Sequence, residues 1–393
     1  MSNNDVQTVN PWVANCSDQG FNYDKLVKDF GLQLVTPQII ERFESITGHK
    51  AHVWLRRGIF FAHRDLELLL DHYQAGKQIF IYTGRGPSSK SLHLGHLVPL
   101  MFTKWLQDVF NAILIIQIAD DEKYYFKNIE FDEVYKLGIE NAKDIIACGF
   151  DPHKTFIFSN HEYSKQKCVQ DIIFKMKRDI RCKDIQAIFD FNSVVTLGQL
   201  EWPLYQSAAA FSQFYESIFK NQDVMCIVPC AVDQDPYFRL SRDLATKYNY
   251  KKPCSIMSQF LPSLEGNAKM NSTNTNNTKL SRTIFVSDDP KTIANNIKRY
   301  AFSGGRQTKE EHMRLGADLS VDIPYKYLRY FLDDDDELNR IGDEYKKGTM
   351  MTSEIKQILS NLLIDLITSH QEKRKLITDE ILYRFYDIEK FNI

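Results

Sequence analysis

Short apolar runs rich in β-branched and aromatic residues recur through the first two thirds of the chain, each bounded by turn-forming residues. Residues 79–82, 113–118, 155–159 and 224–229 have this character, which suits strands buried on both faces of a parallel sheet. Helical spacing fills the gaps. Residues 65–73 lead to Gly76, and residues 132–148 open on an Asp/Glu pair and stop at Gly149, as capped helices do. Residues 84–89, rich in Gly, Pro and Ser, read as a turn, after which the pattern from Leu92 through Met101 to Trp105 becomes helical. Alternating β and α elements up to about Tyr250 predict an α/β fold with a doubly wound parallel sheet, whose ligand lies at the strands' carboxyl ends. Beyond Ser287 the pattern is helical throughout. Ile355, Ile358, Leu359, Leu362, Leu363, Leu366 and Ile367 form one apolar stripe, with Thr352 or Ser353 as the expected N-cap.

The strand at 79–82, the turn and the following helix carry the most informative polar residues. His93 and His96 stand three apart around Gly95, in the first turn of a helix, beside its unpaired N–H groups and positive dipole end. That is a place for polyphosphate, and Gly95 leaves room for a flat base against the backbone. Two helical histidines alone are more often capping or solvated residues. Their position after a strand and a glycine-rich turn favours the nucleotide reading. His93, Asp120 and Asp233 each follow the end of an expected strand. Far downstream, Gly266 to Thr273 sets Lys269 and Met270 in a polar loop that runs into an Asn/Thr-rich stretch ending near Thr278. Such composition suits a lid or an inert surface loop equally.

Composition narrows the class without choosing an activity. At 393 residues the chain exceeds one compact core and suits two domains. A net charge of −2 confines any contact with nucleic acid to local basic patches. Seven cysteines without paired C-x-x-C spacing suggest reduced thiols, and Cys226 and Cys230 read as small core residues. The start has neither the apolar core of a signal peptide nor the arginine-rich pattern of an organelle leader, and no segment approaches the ~20 apolar residues of a membrane span. The expected address is cytoplasmic. The acidic run 333–337 reads as a solvated loop and helix start, since metal sites need spaced ligands.

Together, the H-L-G-H turn and the Lys269-Met270 loop resemble the two signatures of class I aminoacyl-tRNA synthetases. The likeness sharpens with T-G-R-G-P-S-S leading to H-L-G-H (83–96), F-T-K-W-L-Q-D-V-F (102–110), D-D-E-K (120–123), N-A-K-D-I-I-A-C-G-F (141–150), D-Q-D-P-Y-F-R (233–239) and A-F-S-G-G-R (301–306). These are similar to eukaryotic-type tryptophanyl-tRNA synthetases, over most of the chain from the Val9 to Trp12 stretch onward. The resemblance implies a Rossmann-like doubly wound sheet with a connective insertion, followed by an α-helical anticodon-binding domain. It implies an N-terminal extension over residues 1–60 packing on the active site, a catalytic domain over 61–283 and the helical domain over 284–393, whose last helix is in reach of the catalytic domain.

By the same resemblance, L-tryptophan is activated with ATP to tryptophanyl-adenylate and pyrophosphate, then transferred to the 3′ end of tRNA(Trp). The catalytic set is His93, His96, Lys269 and Arg85; the ATP site is Thr83, Gly84, Arg85, His93, Gly95, His96, Lys269 and Met270. Tryptophan falls to Tyr82, Gln117, Glu122, Gln206 and Gln234, with Tyr82 and Gln117 at the indole nitrogen. A selective indole pocket needs a buried acceptor for the ring N–H, and both residues are strand-end polar groups. Magnesium rides on the nucleotide, with no protein metal site expected. A homodimer is implied. The basic stretch Lys165, Lys167, Lys175, Lys177, Arg178, Arg181 and Lys183 suits an acceptor stem or a solvated helix face about equally, and Lys298, Arg299 and Arg306 suit anticodon phosphates. The lysine loop departs from the family by lacking a second lysine at its fifth position. A tyrosyl-tRNA synthetase, a non-catalytic nucleotide- or RNA-binding relative and a cofactor adenylyltransferase remain alternatives.

Overall fold

The computed structural model describes residues 7–15, 20–220, 222–266, 270 and 283–391. Its strands are β1 (Thr8–Val9), β2 (Ala14–Asn15), β3 (Gln33–Leu34), β4 (Phe60–Arg64), β5 (Ile79–Arg85), β6 (Ile113–Ile118), β7 (Thr155–Ser159), β8 (Met225–Ala231) and β9 (Cys254–Ser258). β1 and β2 pair as a small antiparallel ribbon, and the other seven form one sheet in the order β3-β4-β9-β8-β5-β6-β7. The run from β9 to β7 is parallel throughout, while β4 is antiparallel to β9 and β3 to β4. From β5 the chain winds outward through β6 to β7, then returns to lay β8 and β9 on the other side of β5. That reversal opens a crevice at the carboxyl ends of β5 and β8, where ligands of doubly wound sheets bind.

The alternation of side chains along the strands divides the apolar residues into two cores. Ile79, Ile81, Leu114, Ile116, Ile157, Ile227 and Ile256 pack into one, with Phe80, Tyr82, Ile115, Phe156, Cys226, Val228 and Met257 in the other. Strands buried on both faces explain why the sequence shows continuous apolar runs rather than alternation. Five of the nine strands among the described residues escaped that signal, and three of these, β1, β2 and β3, are only two residues long. β9 carries Ser255 and Ser258, both fully buried, and β4 carries His63. Polar residues in these short segments break the apolar pattern, and only pairing across the sheet makes them strands.

Several local expectations are corrected. The stretch 84–89 is not all turn: β5 continues through Gly84 and Arg85, which pair with Gln117 and Ile118 of β6. A Cβ on Gly84 would stand 3.3 Å from the Gln117 carbonyl oxygen, so the glycine lets the strand run on beside its neighbour. Helix Thr352–Lys375 begins on Met351 as N-cap, not Thr352 or Ser353, and the Glu354 carboxylate accepts from the Met351 N–H at 2.6 Å. The Thr352 hydroxyl is instead engaged with Ser303 and Tyr345. The acidic run is only partly solvated. Asp334 caps helix Asp335–Lys346, while Asp335 pairs with Arg56 at 2.5 Å and Arg57 at 2.7 Å.

These ion pairs join the segment before β4 to the C-terminal helices, and Trp54 adds a buried indole N–H donated to the Tyr330 carbonyl at 2.5 Å. The stripe of helix Thr352–Lys375 faces inward at Ile355, Leu359, Leu363 and Ile367 and extends the first core. At the far edge of the sheet, helix Asp379–Tyr386 lies against β7, and the Lys390 ammonium donates to the Thr155 carbonyl at 2.5 Å. Among the described residues no helix is long and apolar enough to cross a membrane.

Candidate active site

A cavity of about 300 Å³ occupies the crevice at the carboxyl ends of β5, β6, β8 and β9. Tyr82, Thr83, Gly84, Arg85, His93, Gly95, His96, Gln117, Glu122, Gln206, Gln234 and Met270 all line it. Every described residue of the expected catalytic, ATP and tryptophan sets therefore lines one cavity. Lys269 lies outside the described residues, as does Lys279.

His93 is the N-cap of helix Leu94–Phe110 and His96 is its third residue. The backbone N–H of His93 reaches the His96 Nδ1 at 3.3 Å, and the two rings stack with centroids 3.4 Å apart. A Cβ on Gly95 would press on the His93 ring at 3.1 Å and lie 3.6 Å from the Met270 Cβ. Gly95 thus lets the capping imidazole fold over the helix start, with the residue after Lys269 close by. The segment that follows the undescribed stretch is bonded to the same turn: Leu94 N–H donates to the Ile284 carbonyl at 3.1 Å and Val286 N–H to the Leu92 carbonyl at 2.9 Å.

Arg85, at the end of β5, is held by two neighbours. Its Nε donates to Asn141 Oδ1 at 2.9 Å, and its Nη1 stands 2.9 Å from His96 Nε2. Its Nη2 is buried and has no hydrogen-bond partner among the described residues. Burial lowers the guanidinium from its usual range to about 10, partly countered by Glu122 and Asp144, so the group stays cationic at neutral pH. A charged, dry, half-satisfied donor beside two imidazoles and a helix N-terminus is suited to an anionic oxygen.

Several supporting residues fall within motifs quoted from the sequence but have no role assigned there. Asn141, fully buried in helix Phe131–Ile146, also donates to the Ser89 carbonyl at 2.7 Å, so one amide orients both Arg85 and the turn. Asp144, one helical turn on, accepts from the Leu92 N–H at 3.2 Å and pairs with Arg374 at 2.5 Å. The signal in both was a polar residue on an otherwise apolar helix face. Lys123 pairs with Glu122 at 2.9 Å, and both side chains lie over Gly86, where a Cβ would meet them at 2.2 and 2.4 Å.

At the other end of the cavity, the buried Tyr82 hydroxyl donates to Gln117 Oε1. Burial pushes the Tyr82 phenol far above its usual range, so it keeps its proton. Gln206 Nε2 donates to Gln234 Oε1 at 2.9 Å on the adjoining wall. Pro11, between β1 and β2, reaches the rim, with Trp12 stacked on Phe126 at 4.1 Å. The basic insertion is largely paired: Lys165 with Glu162, Lys167 with Asp171, Lys177 with Glu201, Arg178 with Asp179 and Arg181 with Asp184. Arg306 donates through Nε to the Gly316 carbonyl at 2.9 Å.

The switch-point cavity, the capping histidine pair and the buried arginine define a nucleotide-dependent α/β enzyme of the class I synthetase type. Residues 74–368 match the family tRNA synthetases class I (W and Y), and the chain belongs to that family. Among its relatives, the chain is 46% identical to the cytoplasmic tryptophan–tRNA ligase of Dictyostelium discoideum, over 98% of this chain and 96% of that one. It is 44% identical to the cytoplasmic tryptophan–tRNA ligase of Homo sapiens, over 98% of this chain and 81% of the human one. The crystal structure of Plasmodium falciparum tryptophanyl-tRNA synthetase superposes with a TM-score of 0.87 at 44% identity, covering 94% of this chain and 96% of that one.

Proposed function

We propose that this chain is a tryptophan–tRNA ligase, which activates L-tryptophan with ATP and transfers it to tRNA(Trp). The observation that carries the reading is the pairing, in one cavity, of a cationic phosphate end at Arg85, His93 and His96 with a buried acceptor end at Tyr82 and Gln117. An indole N–H needs such an acceptor, and a phenylalanine ring would leave it unpaired.

In the first step a tryptophan carboxylate oxygen attacks the α-phosphorus of ATP, the bond to the β-phosphate oxygen breaks, and pyrophosphate leaves. No protein nucleophile takes part, so catalysis is alignment plus stabilisation of charge growing on phosphate oxygens. Arg85 Nη2 donates to that charge, with the His93 and His96 imidazoles and Lys269 around the leaving phosphates, while Thr83, Gly84, Gly95 and Met270 bound the nucleotide. Glu122 and the Gln206–Gln234 pair hold the substrate ammonium. In the second step a terminal ribose hydroxyl of the tRNA attacks the adenylate carbonyl and AMP leaves. Magnesium would ride on the nucleotide, whose triphosphate oxygens suit this hard cation. Residues 1–60 act as an extension over the site and 284–393 as the anticodon-binding part. The protein works in the cytoplasm as a homodimer.

ATP–pyrophosphate exchange measured with each amino acid tests the reading. Exchange with tryptophan alone is expected. Exchange with tyrosine alone, or binding of tryptophan and ATP without adenylate formation, would overturn it.

A further inference from the structure

Behind the Tyr82–Gln117 pair the polar chain continues inward. Gln117 Nε2 donates to Asn160 Oδ1 at 2.6 Å, and Asn160 Nδ2 donates to Asp121 Oδ2 at 2.6 Å. All four side chains are buried, with Asn160 fully so. Buried polar groups of this kind are costly unless each finds its partner, so the direction of every donor in the relay is set by its neighbour.

The direction is decided at Asp121. Its Oδ1 accepts from the Glu122 N–H at 2.9 Å, and its Oδ2 faces the Asn160 amide. A carboxylate offers only lone pairs, and because Oδ2 already receives the Asn160 NH₂, a proton on this carboxyl sits on Oδ1 and leaves Oδ2 an acceptor. Asn160 must therefore turn its NH₂ toward Asp121 and its oxygen toward Gln117. Gln117 must then point its NH₂ at Asn160 and its oxygen at Tyr82. Tyr82 must spend its single proton on Gln117. What remains at the cavity end is a phenolic oxygen with only lone pairs.

We propose that Asp121, acting through Asn160, is the positioning residue that fixes the hydrogen-bond polarity of the Tyr82–Gln117 pair and so makes the pocket select a ring that donates an N–H. This rests on the tryptophan reading above. Asp121 touches no substrate; it decides which way three other side chains face. Replacing its Oδ2 by NH₂ allows the whole relay to reverse. The Glu122 N–H favours that reversal, because it keeps the oxygen of the substituted amide on its own side and leaves the new NH₂ facing Asn160. Asn160 then donates to Gln117, Gln117 donates to the Tyr82 oxygen, and the Tyr82 proton turns into the cavity against the indole N–H.

The test compares L-tryptophan with β-(3-benzothienyl)-L-alanine, in which sulfur replaces the ring N–H, by ATP–pyrophosphate exchange on the full chain. Wild-type protein is expected to prefer tryptophan in kcat/KM by on the order of a hundredfold, the scale of one buried hydrogen bond left unpaired. Asp121→Asn should lower that preference about tenfold or more by loss of tryptophan activity, with kcat/KM for the sulfur analogue unchanged. Asn160→Asp can still accept from Gln117, and with the Asp121 proton shared between the two facing carboxyl groups it should keep the preference. A merely structural role would lower both substrates together. Wild-type activity with an unaltered ratio in Asp121→Asn would overturn the relay alone, as would collapse of the ratio in Asn160→Asp. If Asp121→Asn does not fold, Asn160→Asp decides. No exchange by wild-type protein with tryptophan would instead overturn the functional reading.

Discussion

Replacing Arg85 by methionine separates a phosphate-binding cation from a structural pin. The guanidinium makes two contacts, to Asn141 at 2.9 Å and His96 at 2.9 Å, and leaves Nη2 unpartnered among the described residues. Its depression from 12.5 to about 10, at about 1.4 kcal/mol per unit, means that holding the charge there costs roughly 3 kcal/mol. Losing two hydrogen bonds costs about 1 kcal/mol each. The two sides nearly cancel, so Arg85→Met should move the thermal midpoint by no more than about 2 °C. Its effect on activation is not balanced in this way. A preorganised donor aimed at developing negative charge is worth about 3–4 kcal/mol, or roughly 10²–10³ in kcat. Tryptophan-dependent ATP–pyrophosphate exchange reads the rate, and differential scanning calorimetry the midpoint. Exchange within threefold of wild type, or a midpoint lowered by more than about 6 °C, would refute the assignment of Arg85 to the phosphates.

His96→Ala and Lys269→Ala should each lower single-turnover adenylate formation strongly with the fold intact by circular dichroism; normal rates in either would remove that residue from the catalytic set. Tyr82→Phe removes the hydroxyl acceptor and should raise the KM for tryptophan by about tenfold while sparing that for ATP, since one buried hydrogen bond is lost at the amino acid end only. Gly304→Ala would set a Cβ 2.0 Å from the Asp318 carbonyl oxygen, so it should destabilise the protein by about 1–3 kcal/mol, read from chemical denaturation. Burial and the neighbouring Asp120 raise the Asp121 carboxyl from 3.8 to about 8. Between those values the folded chain keeps a proton that the unfolded chain releases, so stability falls as pH rises through the window. An asparagine amide has no such proton, and the melting midpoint of Asp121→Asn relative to wild type should climb from pH 5 to pH 8.5; a constant difference would contradict the burial argument.

Strands and helices with strong periodicity were legible because their signals are local. Ile113–Ile118 and Thr155–Ser159 stand where the sequence puts them, since a short run of β-branched and aromatic residues has few other ways to bury itself. His93 and His96 were legible too, because three residues along a helix start bring two side chains together without help from the rest of the chain. Tyr82, Gln117, Gln206 and Gln234 were named through family likeness, since an isolated glutamine carries no local mark of its partner.

The tertiary structure alone decided what each polar group faces. Asn160 lies 43 residues from Gln117 and Asp121 39 residues from Asn160, yet they form one buried relay because β6 and β7 are neighbours in the sheet. Arg57 meets Asp335 across 278 residues, and Ser255 becomes a strand residue only because β8 and β4 flank it. Periodicity records how one segment buries its own apolar face. The pairing of donors with acceptors depends on distances that arise only when remote segments pack, and the chemistry of this cavity is built from those pairings.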